Sequence, residues 1–405
     1  MRLYESQENF LKELGDKPYL WCDVGTGKTI MALANVYRRG EKNILIICPA
    51  SVRDSGQWEL EVKRSGYKFD DVKVIGYTTL QKMSVKVPLG FEKYFVIFDE
   101  AHRIKNSQSK QGLGAYNLCK VARGYLFLSG TPFYSWIDFC NIAKITGLVR
   151  HKTEFKRYFV DETRYKGFPE ITGYRNTDLL EQHWKSIHAR LKAEDAVDLP
   201  DTQYQYIDIK CSVATRKEYQ ECNKIGLDVS PFAKGKNNKP NFSKRNWAKR
   251  QVLESDSNKV KWIIDKVQDI ETCLIYVNTL KGIETLSNAL DKSKLDYGVY
   301  SGVRKDNFDD HDIMIVQYQA GSEGLNLQHK FNTIIFLSPT FSPTILNQAI
   351  GRVRRNGQVK SFCELYFLRG FTSEKDKSNQ LDFRAYRALA QRKKFRAELE
   401  DGGIE

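Results

Sequence analysis

Five short, almost wholly apolar runs punctuate the first ~130 residues of this chain: Tyr19–Cys22, Ile44–Cys48, Val72–Ile75, Phe95–Phe98 and Tyr125–Leu128. Each is followed by a loop and then by a stretch with helical character. A strand that is apolar at every position must be covered on both faces. Helices between successive strands supply that cover, so the pattern predicts a parallel, doubly wound α/β sheet.

The rhythm stops near residue 150. From there to about 200 the chain reads as helical and charged, with HWKSIHARLKAEDAVDLP closed by Pro200. Strand-like runs then resume at Tyr204–Ile209, Cys273–Val277, Ile313–Val316, Thr333–Leu337 and Cys363–Leu368, which predicts a second α/β unit. A chain of 405 residues also exceeds one ordinary core and suits two domains. The expected division is a first lobe over 1–150, a helical insertion or linker over 151–200, a second lobe over 201–380 and a basic tail over 381–405. Within the second lobe, 232–251 (FAKGKNNKPNFSKRNWAKRQ) is basic and poor in aliphatic residues, which predicts a projecting loop or helix end.

Hydrophobic residues make up 41% and charged residues 28% of the chain, which excludes disorder and fibre classes. No apolar stretch is long enough to span a bilayer, and MRLYESQENF lacks the core of a signal peptide. The eight cysteines are scattered without C-x-x-C or zinc spacing, so free thiols in a reducing compartment are expected. The net charge of +14 suits a polyanionic partner but does not specify one.

The chemistry lies in the loops after the strands. Gly25-Thr26-Gly27-Lys28-Thr29 follows one strand and opens a helix. Glycines let the backbone curl so that its N–H groups cradle phosphates. Lys28 would hold the β- and γ-phosphates and Thr29 would ligate Mg²⁺. Cys22 stands where the full phosphate-loop pattern has its first glycine. Asp99-Glu100 close the Phe95–Phe98 strand, placing one carboxylate for Mg²⁺ and a second to orient water. Ser129-Gly130-Thr131-Pro132 end another buried strand at the same sheet edge.

The order GTGKT, DEAHRIKN, SGTP resembles motifs I, II and III of superfamily 2 helicases, and DEAHRIKN resembles the Snf2 branch in particular. Tyr4 and Gln7 are similar to that family's adenine-reading motif. LIICPASV with Trp58 is similar to motif Ia, and HARLKAEDAVDLP to the segment joining the lobes. SNKVKWIIDKV and CLIYVNTLKGIETL resemble the start of lobe two and motif IV. QAGSEGLNLQ resembles motif V, and QAIGRVRRNGQ motif VI. The match runs in order over about residues 3 to 370. The whole is similar to the small Snf2-like helicases of large tailed phages.

The resemblance implies two RecA-like lobes with one ATP cleft between them and a role for each matching residue. Gln7 would read adenine, and Gly25, Thr26, Gly27, Lys28 and Thr29 would hold Mg-ATP with Asp99 and Glu100. His102, Ser129 and Thr131 would couple nucleotide state to the lobes. Gly324 and Asn326 would face the nucleotide from lobe two. Arg352 and Arg355 would be arginine fingers beside Gln348, and the i, i+4, i+7 spacing of the three predicts one helix face. Pro49 and Ser51, with Lys244, Arg245, Lys249 and Arg250 of the basic insert, are the candidate nucleic-acid contacts. Two departures stand out: Phe133-Tyr134-Ser135-Trp136 replace a usual polar pair, and Glu323 replaces an apolar residue.

The expected protein is a monomeric, ATP- and Mg²⁺-dependent DNA helicase or translocase with no membrane partner. Its expected place is the cytoplasm, or the host cytoplasm for a viral protein. Duplex or branched DNA is the expected substrate, with remodelling or branch migration as the work done. An RNA helicase is one alternative. Another is an ATPase switch or motor subunit that works with a nuclease or other protein.

Overall fold

The computed structural model describes residues 3–165, 168–196, 199–224, 242–321 and 325–400. Two compact units emerge, the first running to Asp198 and the second from Leu199 to Gln391. No helix among the described residues is long and apolar enough to cross a membrane.

All five strands expected in the first unit form: β1 (Tyr19–Cys22), β2 (Asn43–Cys48), β3 (Asp71–Gly76), β4 (Phe95–Asp99) and β5 (Gly124–Ser129). Their side chains alternate between two cores. Tyr19, Trp21, Val96, Phe98 and Phe127 pack on one face of the sheet, and Leu20, Cys22, Phe95, Ile97 and Leu126 on the other. That two-sided burial is why the runs carry almost no polar residue.

The stretch 151–200 is only partly helical, contrary to the sequence reading. Helices Lys152–Phe159 and Thr177–Ile187 flank an antiparallel hairpin of β6 (Val160–Tyr165) and β7 (Phe168–Tyr174). Its β-branched and aromatic residues outweigh the charges between them. β8 (His188–Leu191) then joins the main sheet beside β1. Only Ala189 and Leu191 of β8 are buried, the period-two pattern of an edge strand. The sheet runs β3-β2-β4-β5-β1-β8, all parallel.

The second unit contains β9 (Asp201–Lys210), β10 (Cys273–Val277), β11 (Gly298–Tyr300), β12 (Ile313–Gln317), β13 (Thr333–Phe336) and β14 (Phe362–Phe371). Among the described residues they form a parallel sheet in the order β11-β12-β10-β13-β14-β9. Only β11 escapes the sequence reading, because three residues are too few to show a pattern.

Two expectations for this unit change. Residues 232–241 of the basic insert lie outside the described residues, and 242–251 take the helical of the two expected forms, in the helix Phe242–Glu254, but do not all project. The end of that helix is core. Leu253 and Glu254 are fully buried, and the Glu254 carboxylate accepts from the Asn278 and Thr279 backbone and from the Thr279 and Ser338 hydroxyls. The tail likewise begins as core, in the helix Leu381–Glu400, with Leu381, Ala385 and Leu389 buried at i, i+4 and i+8. Next to them the inaccessible Lys259 ammonium donates to Asp382 at 2.7 Å and to the Leu337 carbonyl at 2.8 Å. All eight cysteines are free thiols, and seven are buried.

Candidate nucleotide site

In a parallel sheet the C-terminal strand ends share one edge, where doubly wound folds bind ligands. The loops after β1, β2, β4 and β5 therefore meet there. After β1, Gly25 and Gly27 take φ values of +89° and +83°, in the left-handed region, and turn the chain into the helix Lys28–Arg38. A Cβ on Gly27 would lie 2.5 Å from Gln7 Nε2. That amide donates to the Thr26 carbonyl at 2.9 Å, and Gln7 Oε1 accepts from the Tyr4 N–H at 3.0 Å. Gln7, on the helix Glu5–Leu14, is thus fixed against the phosphate loop. The Lys28 ammonium donates to the Cys22 carbonyl at 3.3 Å, and Thr29 follows it in the first turn of the helix.

At the end of β4 the two acids are held differently. The Trp58 indole N–H donates to Asp99 Oδ2 at 3.1 Å, and the Tyr77 hydroxyl donates to the Asp99 carbonyl at 2.6 Å. Burial, and then the charge of Glu100, push the Asp99 carboxyl up to about 6. Burial also pushes Glu100 upward, but the His102 hydrogen bond and the Lys28 charge outweigh it, and its carboxyl falls below its ordinary value. Glu100 adopts φ +54°, a sparsely populated conformation for a non-glycine residue that turns its carboxylate toward His102. His102 Nδ1 lies 3.2 Å from Glu100 Oε2 and 3.4 Å from Ser129 Oγ. Ser129 Oγ in turn accepts the Thr131 N–H at 3.1 Å.

Pro49 precedes the short helix Ala50–Asp54 after β2, and Ser51 on it is exposed. The departure after Ser129-Gly130-Thr131-Pro132 has a packing explanation. Phe133 and Trp136 are buried in an aromatic cluster, the Phe133 ring lying 4.9 Å from Trp184 and 5.1 Å from Phe139.

In the second unit Gln348 lies on the helix Pro343–Ile350, which ends before either arginine. Gln348, Arg352 and Arg355 therefore do not share a helix face. Gly351 closes the helix, and the chain continues in turns, with Arg352 N–H to Ala349 carbonyl and Val353 N–H to Ile350 carbonyl. From there Arg352 donates to the Leu325 carbonyl at 2.9 Å and Arg355 to Asn326 Oδ1 at 2.6 Å. Burial and the neighbouring Arg352 lower the Arg355 pKa. Gly324 lies outside the described residues. On the helix Phe242–Glu254, Lys244 is exposed, Arg245 is half-buried, and Lys249 sits 4.6 Å over the Tyr219 ring. Arg250 instead turns inward, donating to Asn278 Oδ1 at 2.6 Å and stacking over Phe341.

Sequence reasoning did not assign the hydroxyl of Tyr77 or the indole of Trp58 to the acids. Neither contact has a local signature, since each joins residues of different elements.

A phosphate loop on an interior strand, with an Asp-Glu pair two strands away, is the arrangement of the P-loop nucleotide hydrolases. Two all-parallel units in tandem narrow the class to RecA-like motors. Residues 67–261 match the SNF2-related domain, and residues 258–357 match the helicase conserved C-terminal domain. The chain belongs to the Snf2-like branch of the superfamily 2 helicases.

It is 24% identical over 387 residues to the SWI/SNF-related matrix-associated actin-dependent regulator of chromatin subfamily A-like protein 1 of Xenopus laevis, covering 84% of this chain and 38% of that protein. It is 22% identical over 410 residues to the uncharacterized ATP-dependent helicase YqhH of Bacillus subtilis, covering 88% of this chain and 72% of that one. The chain spans about two fifths of the length of its Xenopus relatives. Among solved structures, the ATP-dependent Type ISP restriction-modification enzyme LlaBIII bound to DNA shares the fold. Its TM-score is 0.57 at 13% identity, over 97% of this chain and 30% of that one.

Proposed function

We propose that this chain is an ATP-hydrolysing motor that moves on DNA and acts on forked or junction DNA. The observation that carries the reading is the convergence of Gln7, Lys28, Asp99, Glu100, His102 and Ser129 at one sheet edge of the first unit. In this reading Gln7 contacts the adenine, the N–H groups of Gly25–Thr29 take the phosphates, and Lys28 leaves the Cys22 carbonyl for the γ-phosphate. Glu100, ionised and steered by His102, orients the attacking water.

The donor set also fits Mg²⁺. The Thr29 hydroxyl and the Asp99 carboxylate are the hard oxygen ligands that ion takes, and Asp99 is held in place by the Trp58 indole at the sheet edge where the phosphate loop opens. Bound there, the ion would offset charge on the phosphate oxygens. Arg355, oriented by Asn326, and Arg352 serve as the fingers. Arg355→Ala then loses most nucleic-acid-stimulated turnover, a finger contributing roughly 10³–10⁵ in rate.

DNA as the track is supported by the net charge of +14 and by membership of the Snf2-like branch. Lys244, Arg245 and Lys249 are the proposed phosphate contacts of the second unit and Ser51 that of the first, while Pro49, buried and without an N–H, only sets the start of the helix that carries Ser51. Branch movement breaks one base pair while forming another. Plain strand separation instead costs roughly 1.4 kcal/mol per step.

The test compares ATPase stimulation by duplex DNA, single strands and RNA, then unwinding of a movable junction against a tailed linear duplex at equal turnover. Strongest stimulation by duplex or branched DNA, with the junction resolved faster, is expected. Stimulation by RNA alone would make the chain an RNA helicase. Faster separation of the tailed duplex would make it a conventional strand-separating enzyme. Turnover only in the presence of a co-purifying protein would favour a motor subunit.

A further inference from the structure

Asp23, the second residue of the phosphate loop, places an anion where anions are to be held, and nothing in the nucleotide reading above uses it. Its surroundings give it a task. The Asp23 N–H donates to the Leu191 carbonyl at 3.1 Å, extending the β1–β8 pairing one residue beyond Cys22. Its Oδ2 accepts from Arg190 Nη2 at 3.0 Å and from the Ala193 N–H at 3.1 Å.

Arg190 is itself fixed. Its Nη1 donates to the Leu191 carbonyl at 2.6 Å, its guanidinium lies 4.8 Å over the Trp21 ring, and its side chain is only 13% exposed. On the other side, the Asp23 carbonyl accepts the Thr26 hydroxyl at 2.9 Å, and the Thr26 carbonyl accepts the Gln7 amide. An unbroken series of bonds therefore runs from Ala193 and Arg190 through Asp23 to Thr26 and Gln7. The guanidinium also neutralises a carboxylate that would otherwise repel the polyphosphate. In the sequence Ala193 stands shortly before Leu199, where the second unit begins.

We infer that Asp23 and Arg190 form a latch tying the phosphate loop to the outgoing segment 188–196. Arg190 is thereby a positioning residue for the nucleotide, and the placement of that segment sets the loop's affinity for a triphosphate. The inference rests on the nucleotide site proposed above.

The test is a double-mutant cycle on the full chain, reading mant-ATP affinity by fluorescence, KM and kcat for ATP, and thermal unfolding. Arg190→Met and Asp23→Ala should each weaken mant-ATP binding roughly tenfold, the loss expected for a charged hydrogen bond. KM should rise more than kcat falls. Because both substitutions cut one link, the double variant should bind about as well as the weaker single rather than worse by the product of the two effects.

Binding by either single variant within about twofold of wild type would overturn the latch, as would fully multiplicative losses. If Arg190→Met lacks a cooperative melt, Asp23→Ala alone decides on the same criterion. Wild-type protein that fails to bind mant-ATP would instead sink the nucleotide site itself.

Discussion

The indole N–H of Trp58 donates to Asp99 Oδ2 across 3.1 Å, joining the helix Gln57–Ser65 to the acid that closes β4. Trp58 is almost wholly buried, and its helix follows the segment of Pro49 and Ser51. A hydrogen bond to a charged group contributes about 1.5–3 kcal/mol. Trp58→Phe keeps most of the packing and removes that bond. The half-saturating Mg²⁺ concentration for turnover should then rise by roughly an order of magnitude with little change in melting temperature. A metal titration of initial rates measures it, and an unchanged midpoint would reduce Trp58 to a packing residue.

Lys28→Ala should abolish ATP hydrolysis, because the γ-phosphate loses its charge partner. Glu100→Gln should bind ATP but not turn it over, since the amide cannot take a proton from water. Steady-state hydrolysis with parallel nucleotide-binding measurements separates the two. Substantial turnover in both variants would remove the assignment of the site.

The Lys259–Asp382 pair predicts a large stability effect in the second unit. Both groups are inaccessible, and Asp382 also accepts the Gly370 N–H at 2.9 Å. Lys259→Met leaves a buried carboxylate without its cation, which should cost roughly 3–5 kcal/mol. Lys259→Met combined with Asp382→Leu should lose less than Lys259→Met alone. Denaturant melts of the three proteins read the difference directly.

His188 makes the first unit acid-sensitive. Its ring stacks on Trp184 at 4.1 Å, its Nδ1–H donates to the Trp184 carbonyl at 2.6 Å, and burial lowers its pKa to about 4. The unfolded chain holds a proton on this residue at a higher pH than the folded one. Its contribution is therefore complete above the unfolded value near 6.5 and is lost as pH falls toward about 4, at most ~1.4 kcal/mol per pH unit. Melting temperatures between pH 7.5 and 5 should show this slope, and His188→Phe should flatten it.

Most strands visible in the sequence, such as β1, β4 and β10, are buried on both faces, because total burial removes polar residues and leaves an unmistakable run; the more exposed β3 and β9 were visible through their β-branched and aromatic residues instead. β8 and the β6–β7 hairpin were hidden for the opposite reason. Half-exposed strands rich in charge look like helix surface until their partners are known. At the candidate site the glycine loop and the Asp-Glu pair were legible, since each acts through neighbours in the chain. The link between Arg190 and Asp23 spans 167 positions and has no local pattern. Motif VI shows the reverse error, in which the spacing of Gln348, Arg352 and Arg355 suited a helix that Gly351 had already ended.

β8 also decides how much chain the first unit requires to fold. Without residues 188–191, β1 would be the border of the sheet, with the backbone of Tyr19–Cys22 open to another molecule. A fragment cut near residue 150, where the apolar rhythm stops, would therefore expose the strand that carries the phosphate loop and should self-associate. During synthesis the same strand remains uncovered until Leu191 has left the ribosome, so the hairpin and the helix Thr177–Ile187 must be made before the nucleotide loop is sheltered.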